Sequence, residues 1–135
     1  MKHGFKTFDS DMHVYDAANL YDKYMNPKWG ERIPKGQRNG KHGRVEFKLG
    51  GGTTLRAITE VINHGQQQVA ERYAFAVARD YDPVSQLQGM DMEGLDVAVL
   101  FRTSPLHCDE TLEPAYANDL CRAWNSWIAD FCKQD

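Results

Sequence analysis

The stretch that most constrains the fold lies past the middle of the chain. There Asp82-Pro83 opens a helix-length segment, Gly94 closes it, and Leu95-Asp96-Val97-Ala98-Val99-Leu100-Phe101 follows at once. An aspartate at an N-cap accepts an otherwise unpaired backbone N–H, and a proline at the first helical position has no N–H to leave unpaired. Glycine stops a helix because it enters left-handed backbone without a Cβ penalty. Between these signals Val84, Leu87 and Met90 supply an apolar stripe. The run after Gly94 is almost wholly apolar and rich in β-branched residues, which predicts a strand covered on both faces, as in a parallel sheet. Helix, glycine and buried strand make the α-to-β half of a βαβ unit, so the predicted class is α/β with parallel strands.

A parallel strand needs a partner, and residues 5–13 are the candidate. Phe5, Phe8, Val14 and Tyr15 are β-formers around Asp9-Ser10-Asp11-Met12-His13. Side chains alternate across a strand, so Asp9, Asp11 and His13 are expected to project to one face. Two carboxylates and an imidazole on one face are costly to bury without a counter-charge, and a divalent cation supplies one. The plainer alternative is a polar strand end with two solvated aspartates and an incidental histidine.

Asp16 is placed to cap a short helix from Ala17 to about Met25, which Pro27 ends. From 27 to 81 the composition loosens into glycines and basic residues, and this stretch reads as an insertion. Within it Arg44-Val45-Glu46-Phe47-Lys48-Leu49 alternates polar and apolar before Gly50-Gly51-Gly52, which predicts one strand of a small hairpin. Lys35, Arg38, Lys41 and Arg44 could touch an anion, though a solvated insertion accounts for them as well. Gln66 to Ala78 has helix-forming composition with an impure period. The last element is the clearest helix, 113–132. Leu112, Tyr116, Leu120, Ala123, Trp124, Trp127, Ile128 and Phe131 fall on one face of it. That stripe is expected to pack on the sheet.

The bulk composition narrows the function classes. At 135 residues a single domain, 1–135, is expected. A net charge of −3 argues against nucleic acid as partner, because such domains are usually basic. The apolar run Val97 to Phe101 is far too short to span a bilayer, so no membrane is expected. Lys2 and His3 are not followed by a hydrophobic region, so no secretory signal is read. Cys108, Cys121 and Cys132 form no C-x-x-C pair. On one helix, Cys121 and Cys132 would lie about 16 Å apart, too far for a disulfide. Reduced thiols and a cytoplasmic setting are the simple expectation.

Three stretches taken together are similar to a known family. They are Asp9-Ser10-Asp11-Met12-His13-Val14-Tyr15-Asp16, the segment from Asp82 to Phe101, and Leu120-Cys121-Arg122-Ala123-Trp124-Asn125-Ser126-Trp127-Ile128-Ala129-Asp130-Phe131-Cys132. Their order and spacing resemble the N-terminal part of the amidohydrolase-related family. That is the branch of metal-dependent barrel enzymes containing aminocarboxymuconate semialdehyde decarboxylase and γ-resorcylate decarboxylase. The resemblance implies that 5–13 and 95–101 are the first two strands of a TIM (β/α)8 barrel, with 113–132 the helix after the second.

It also implies a first metal-ligand pair at Asp11 and His13, where many members carry H-x-H or E-x-H. The implied cofactor is a divalent metal, Zn²⁺ or Mn²⁺. Many members have Glu-Pro where this chain has Asp16-Ala17, and Asp16 is carried over as a candidate substrate contact in spite of that departure. Arg102, at the end of the second strand, is suited to hold a substrate carboxylate bidentately, against the alternative of a solvated loop arginine. A complete barrel needs about 250 residues. The chain is therefore expected to be an N-terminal fragment, with the catalytic residues beyond residue 135 and a homo-oligomer at full length.

The expected function is a metal-dependent hydrolase, or a decarboxylase, of a carboxylated small molecule. A haloacid dehalogenase-type phosphatase using Asp9 and Asp11 is a second possibility. A non-enzymatic interaction module built on the insertion and the tryptophan-rich helix is a third.

Overall fold

The computed structural model describes residues 3–39, 44–48, 54–55, 71–103 and 110–134. Gly50-Gly51-Gly52, Lys41, Cys108 and residues 66–70 of the helix read over 66–78 lie outside the described residues.

Strands β1 (Phe8–Val14) and β5 (Val97–Arg102) are parallel neighbours. This is the pairing that the capped helix and apolar run predict. Asp96 fastens the start of the pair: its carboxylate accepts the Thr7 N–H at 2.8 Å, while the Asp96 and Val97 N–H groups donate to the Thr7 carbonyl. The pairing runs Phe8↔Val97 and Asp9↔Ala98, then Met12↔Leu100, His13↔Phe101 and Val14↔Arg102. Two residues of β1, Ser10 and Asp11, thus stand against one of β5, Val99. That is a β-bulge, and one extra residue inverts the alternation beyond it.

The other described elements follow in chain order. Helix α1 (Leu20–Tyr24) is shorter than predicted, and its N-cap is Asn19 rather than Asp16. The Asp16 carboxylate is committed elsewhere, as described below. Pro27 opens a 3-10 segment, Pro27–Arg32, whose N-cap Asn26 accepts the Lys28 N–H. A separate antiparallel sheet follows, with β2 (Lys35–Asn39) beside β3 (Arg44–Lys48) and β3 beside β4 (Thr54–Leu55). The predicted hairpin strand is therefore present and is paired on both sides. Helix α2 (Ala74–Ala78) lies within the predicted 66–78.

Helix α3 (Pro83–Glu93) has the predicted ends. The Asp82 side chain accepts the Ser85 N–H, and Gly94 is left-handed at φ +71°. Its predicted stripe is only partly covered: Val84 is exposed, Leu87 and Met90 are half-buried, and Ser85 is the buried residue. The polar face instead meets β1, where the Gln86 amide donates to the Met12 thioether.

Helix α4 (Pro114–Phe131) carries the core. Tyr116, Leu120, Ala123, Trp127 and Phe131 are buried with Val14, Leu20, Tyr21 and Met25. The stripe therefore packs mainly on α1 and the turn after β1, while the sheet contributes Val14 and the partly buried Leu100. Trp29 meets Tyr116 edge-on at 5.0 Å, and its indole N–H donates to Asp119 at 2.7 Å. Trp127 thus belongs to the core and Trp124 to its half-buried edge.

The expectation that β5 is covered on both faces fails among the described residues. Leu100 faces the helices, but Val97, Val99 and Phe101 are exposed, as is Phe8 of β1. Among the described residues no helix is long and apolar enough to cross a membrane.

Candidate metal-ligand pair at the ends of two parallel strands

Parallel strands gather their C-terminal ends on one side, where barrel and open α/β folds build their sites. Asp11 lies in the bulge of β1 and His13 just beyond it, and Arg102 is the last residue of β5. The bulge separates the three predicted donors. Asp9 turns its carboxylate back to accept the Asp11 N–H at 2.9 Å, which stabilises the extra residue. Beyond it Met12 is half-buried and Val14 buried, whereas Asp11 and His13 are exposed. Asp9 shares the parity of Met12 and Val14 and is no third donor.

The geometry of His13 is specific. Its Nδ1 stands 2.7 Å from the carbonyl oxygen of Arg102. A carbonyl can only accept, so Nδ1 carries the proton and Nε2 keeps its lone pair in the neutral ring. Metal-binding histidines are commonly oriented in this way, with the second ring nitrogen donating to a backbone carbonyl. The free Nε2 lies 3.7 Å from Asp11 Oδ1, too far for a hydrogen bond. Two donors sharing one tetrahedral zinc sit roughly 3.3 Å apart, given zinc–ligand distances of about 2.0–2.2 Å. Asp11 is 77% and His13 54% exposed, so a few tenths of an ångström of closure meets no packing resistance. The pair therefore fits a divalent ion as two of its ligands. Among the described residues no group of three or more such donors converges.

Arg102 and Asp16 meet a different fate. The Arg102 side chain is 12% exposed and that of Asp16 is 0% exposed, so the solvated-arginine alternative is set aside. Arg102 Nη2 donates to Asp16 Oδ2 at 2.6 Å and to the Tyr21 hydroxyl at 3.3 Å. The other carboxylate oxygen, Oδ1, accepts the Trp124 indole N–H at 3.0 Å. The guanidinium also lies over the Trp124 ring, 5.5 Å from its centroid. Burial pushes the guanidinium pKa down, but the Asp16 carboxylate and the Tyr21 hydroxyl more than offset this and hold it above its ordinary value. Both oxygens of Asp16 are thus spent inside the protein. The Arg102 Nε and Nη1 atoms are covered and have no hydrogen-bond partner among the described residues. Arg102 is consequently not presented to solvent as a ready carboxylate clamp.

No residue pattern marks the tautomer-setting carbonyl, which belongs to the backbone of Arg102. Tyr21 and Trp124, which complete the buried cluster, read only as helix-face residues. Compared with known proteins, the chain matches no family model and no curated protein.

Proposed function

We propose that the chain holds the first two strands of a metal-dependent amidohydrolase-like (β/α)8 barrel that hydrolyses or decarboxylates a carboxylated small molecule. The observation that carries this reading is the Asp11–His13 pair. Its donors are 3.7 Å apart, and the far nitrogen of the imidazole is tied to the Arg102 carbonyl. A divalent ion held there would act as a Lewis acid on a substrate oxygen.

The uncovered sheet face supports the same reading. Phe8, Val97, Val99 and Phe101 share it with His13, and in a barrel this face looks inward against further strands. Those strands would supply the remaining ligands, the catalytic carboxylate and the contacts of a homo-oligomer. Three cysteines without a C-x-x-C pair fit a reducing, cytoplasmic setting.

The test is an NMR titration of the labelled chain with Zn²⁺. The reading predicts that the ring signals of His13 and the backbone signals around Asp11 move together. Movement confined to other histidines, or to the cysteines, would overturn it. In a complete barrel, carbon dioxide release or hydrolysis should require His13.

A further inference from the structure

We infer that Asp16 is a positioning residue for His13, acting through Arg102; this rests on the reading of His13 as a metal ligand. The chain of contacts is continuous. Trp124 and Arg102 hold the two oxygens of Asp16 at 3.0 and 2.6 Å. The Arg102 side chain is thereby pinned to the segment just after β1, in a pocket closed by Tyr21 and Trp124. The carbonyl of the same residue accepts the Nδ1–H of His13 at 2.7 Å. Next along the chain, the Thr103 N–H and hydroxyl both donate to the Val14 carbonyl, at 3.1 and 2.8 Å.

Arg102 closes β5, and a strand end frays unless something beyond the ladder holds it. Here the side chain supplies that hold, and the backbone transmits it to the imidazole. The hydrogen bond at one ring nitrogen decides which nitrogen is left to meet a metal. Asp16 thus reaches the site without touching a ligand. This accounts for a buried ion pair next to an exposed histidine. It also separates the two roles of Arg102: the carbonyl faces the site, and the guanidinium faces the core.

The experiment reads the tautomer of His13 directly, from the two ring nitrogen shifts at a pH where the imidazole is neutral. The wild-type chain should carry the proton on Nδ1. Arg102→Met alone would strand a buried carboxylate, so the informative variant is Asp16→Asn/Arg102→Met, which removes both charges. It should shift the population toward Nε2 protonation and weaken Zn²⁺ binding about tenfold or more. Arg102→Lys, which keeps a cation opposite Asp16, should restore the wild-type tautomer. Should the double variant fail to fold, Asp16→Asn is read in the same way, with a smaller shift.

An unchanged Nδ1-protonated ring in a folded variant overturns the inference. The metal reading fails separately, if wild-type protein shows no zinc response at His13. The tautomer measurement needs no metal and stands apart from that result.

Discussion

Arg102 and Asp16 form a buried ion pair across the ends of two parallel strands, with Nη2 and Oδ2 2.6 Å apart and neither side chain more than 12% exposed. Removing one member of such a pair leaves an uncompensated charge out of water, which costs about 3–5 kcal/mol. Asp16→Ala should therefore lower the unfolding free energy by about that amount, read from urea melts. Replacing both partners with neutral residues of similar shape should cost distinctly less. Equal losses in the single and double variants would show that the charges contribute nothing special.

The core prediction concerns α4. Leu120 is 1% exposed and packed among Val14, Leu20, Tyr21 and Trp127. Leu120→Ala should cost about 2–5 kcal/mol through lost burial and a residual cavity. Val84 lies on the predicted apolar stripe of α3 but is exposed, so Val84→Ala should stay within about 0.5 kcal/mol of wild type. The contrast between the two variants checks which helix carries the core.

What was legible in the sequence followed from local chemistry. Asp82, Pro83 and Gly94 delimit α3 because capping and left-handed backbone are decided within a few residues. The parallel pairing of β1 with β5 followed from the order of helix, glycine and apolar strand. The bulge did not, because it depends on one side chain, Asp9, choosing the Asp11 N–H over a place on the strand face. The burial of Arg102 was equally hidden, since its partners Asp16, Tyr21 and Trp124 come from three other places in the chain. The α3 stripe misled because Gln86 and Ser85, not Val84, meet the rest of the protein.

Asp82 makes stability depend on pH. Its carboxylate accepts from Arg79 and from the Ser85 N–H, and the Arg79 hydrogen bond is the main reason its pKa lies below the usual aspartate value. A group with a depressed folded-state pKa contributes fully above its unfolded value and loses that contribution as pH falls through the folded one. Asp82→Ala should cost about 1 kcal/mol at neutral pH, the ordinary worth of an N-cap. The difference from wild type should begin to shrink as pH falls below about 4, the unfolded aspartate value, and should be lost as the folded carboxylate protonates at lower pH. Thermal melts of both proteins between pH 7 and 3 would show a pH-independent gap if the cap charge plays no part.

Gly36 joins the second sheet to the rest of the protein. A Cβ placed there would lie 2.2 Å from the Ala18 carbonyl oxygen, a backbone atom that cannot swing aside. Gly36→Ala should destabilise the protein by about 1–3 kcal/mol through overpacking. It should also raise hydrogen exchange over residues 35–39 beyond what the global loss explains. Wild-type exchange there would mean that the approach to Ala18 is not needed.

The central claim is that Asp11 and His13 hold a divalent ion between them. Calorimetric titration of the chain with Zn²⁺ tests it most directly, using wild type beside Asp11→Ala and His13→Ala. Two protein donors are fewer than the three of an ordinary catalytic zinc site, so the account predicts weak binding of one zinc per chain. It also predicts that the binding disappears in each variant. An isotherm that survives both substitutions, or no zinc-dependent heat in the wild type, would contradict it.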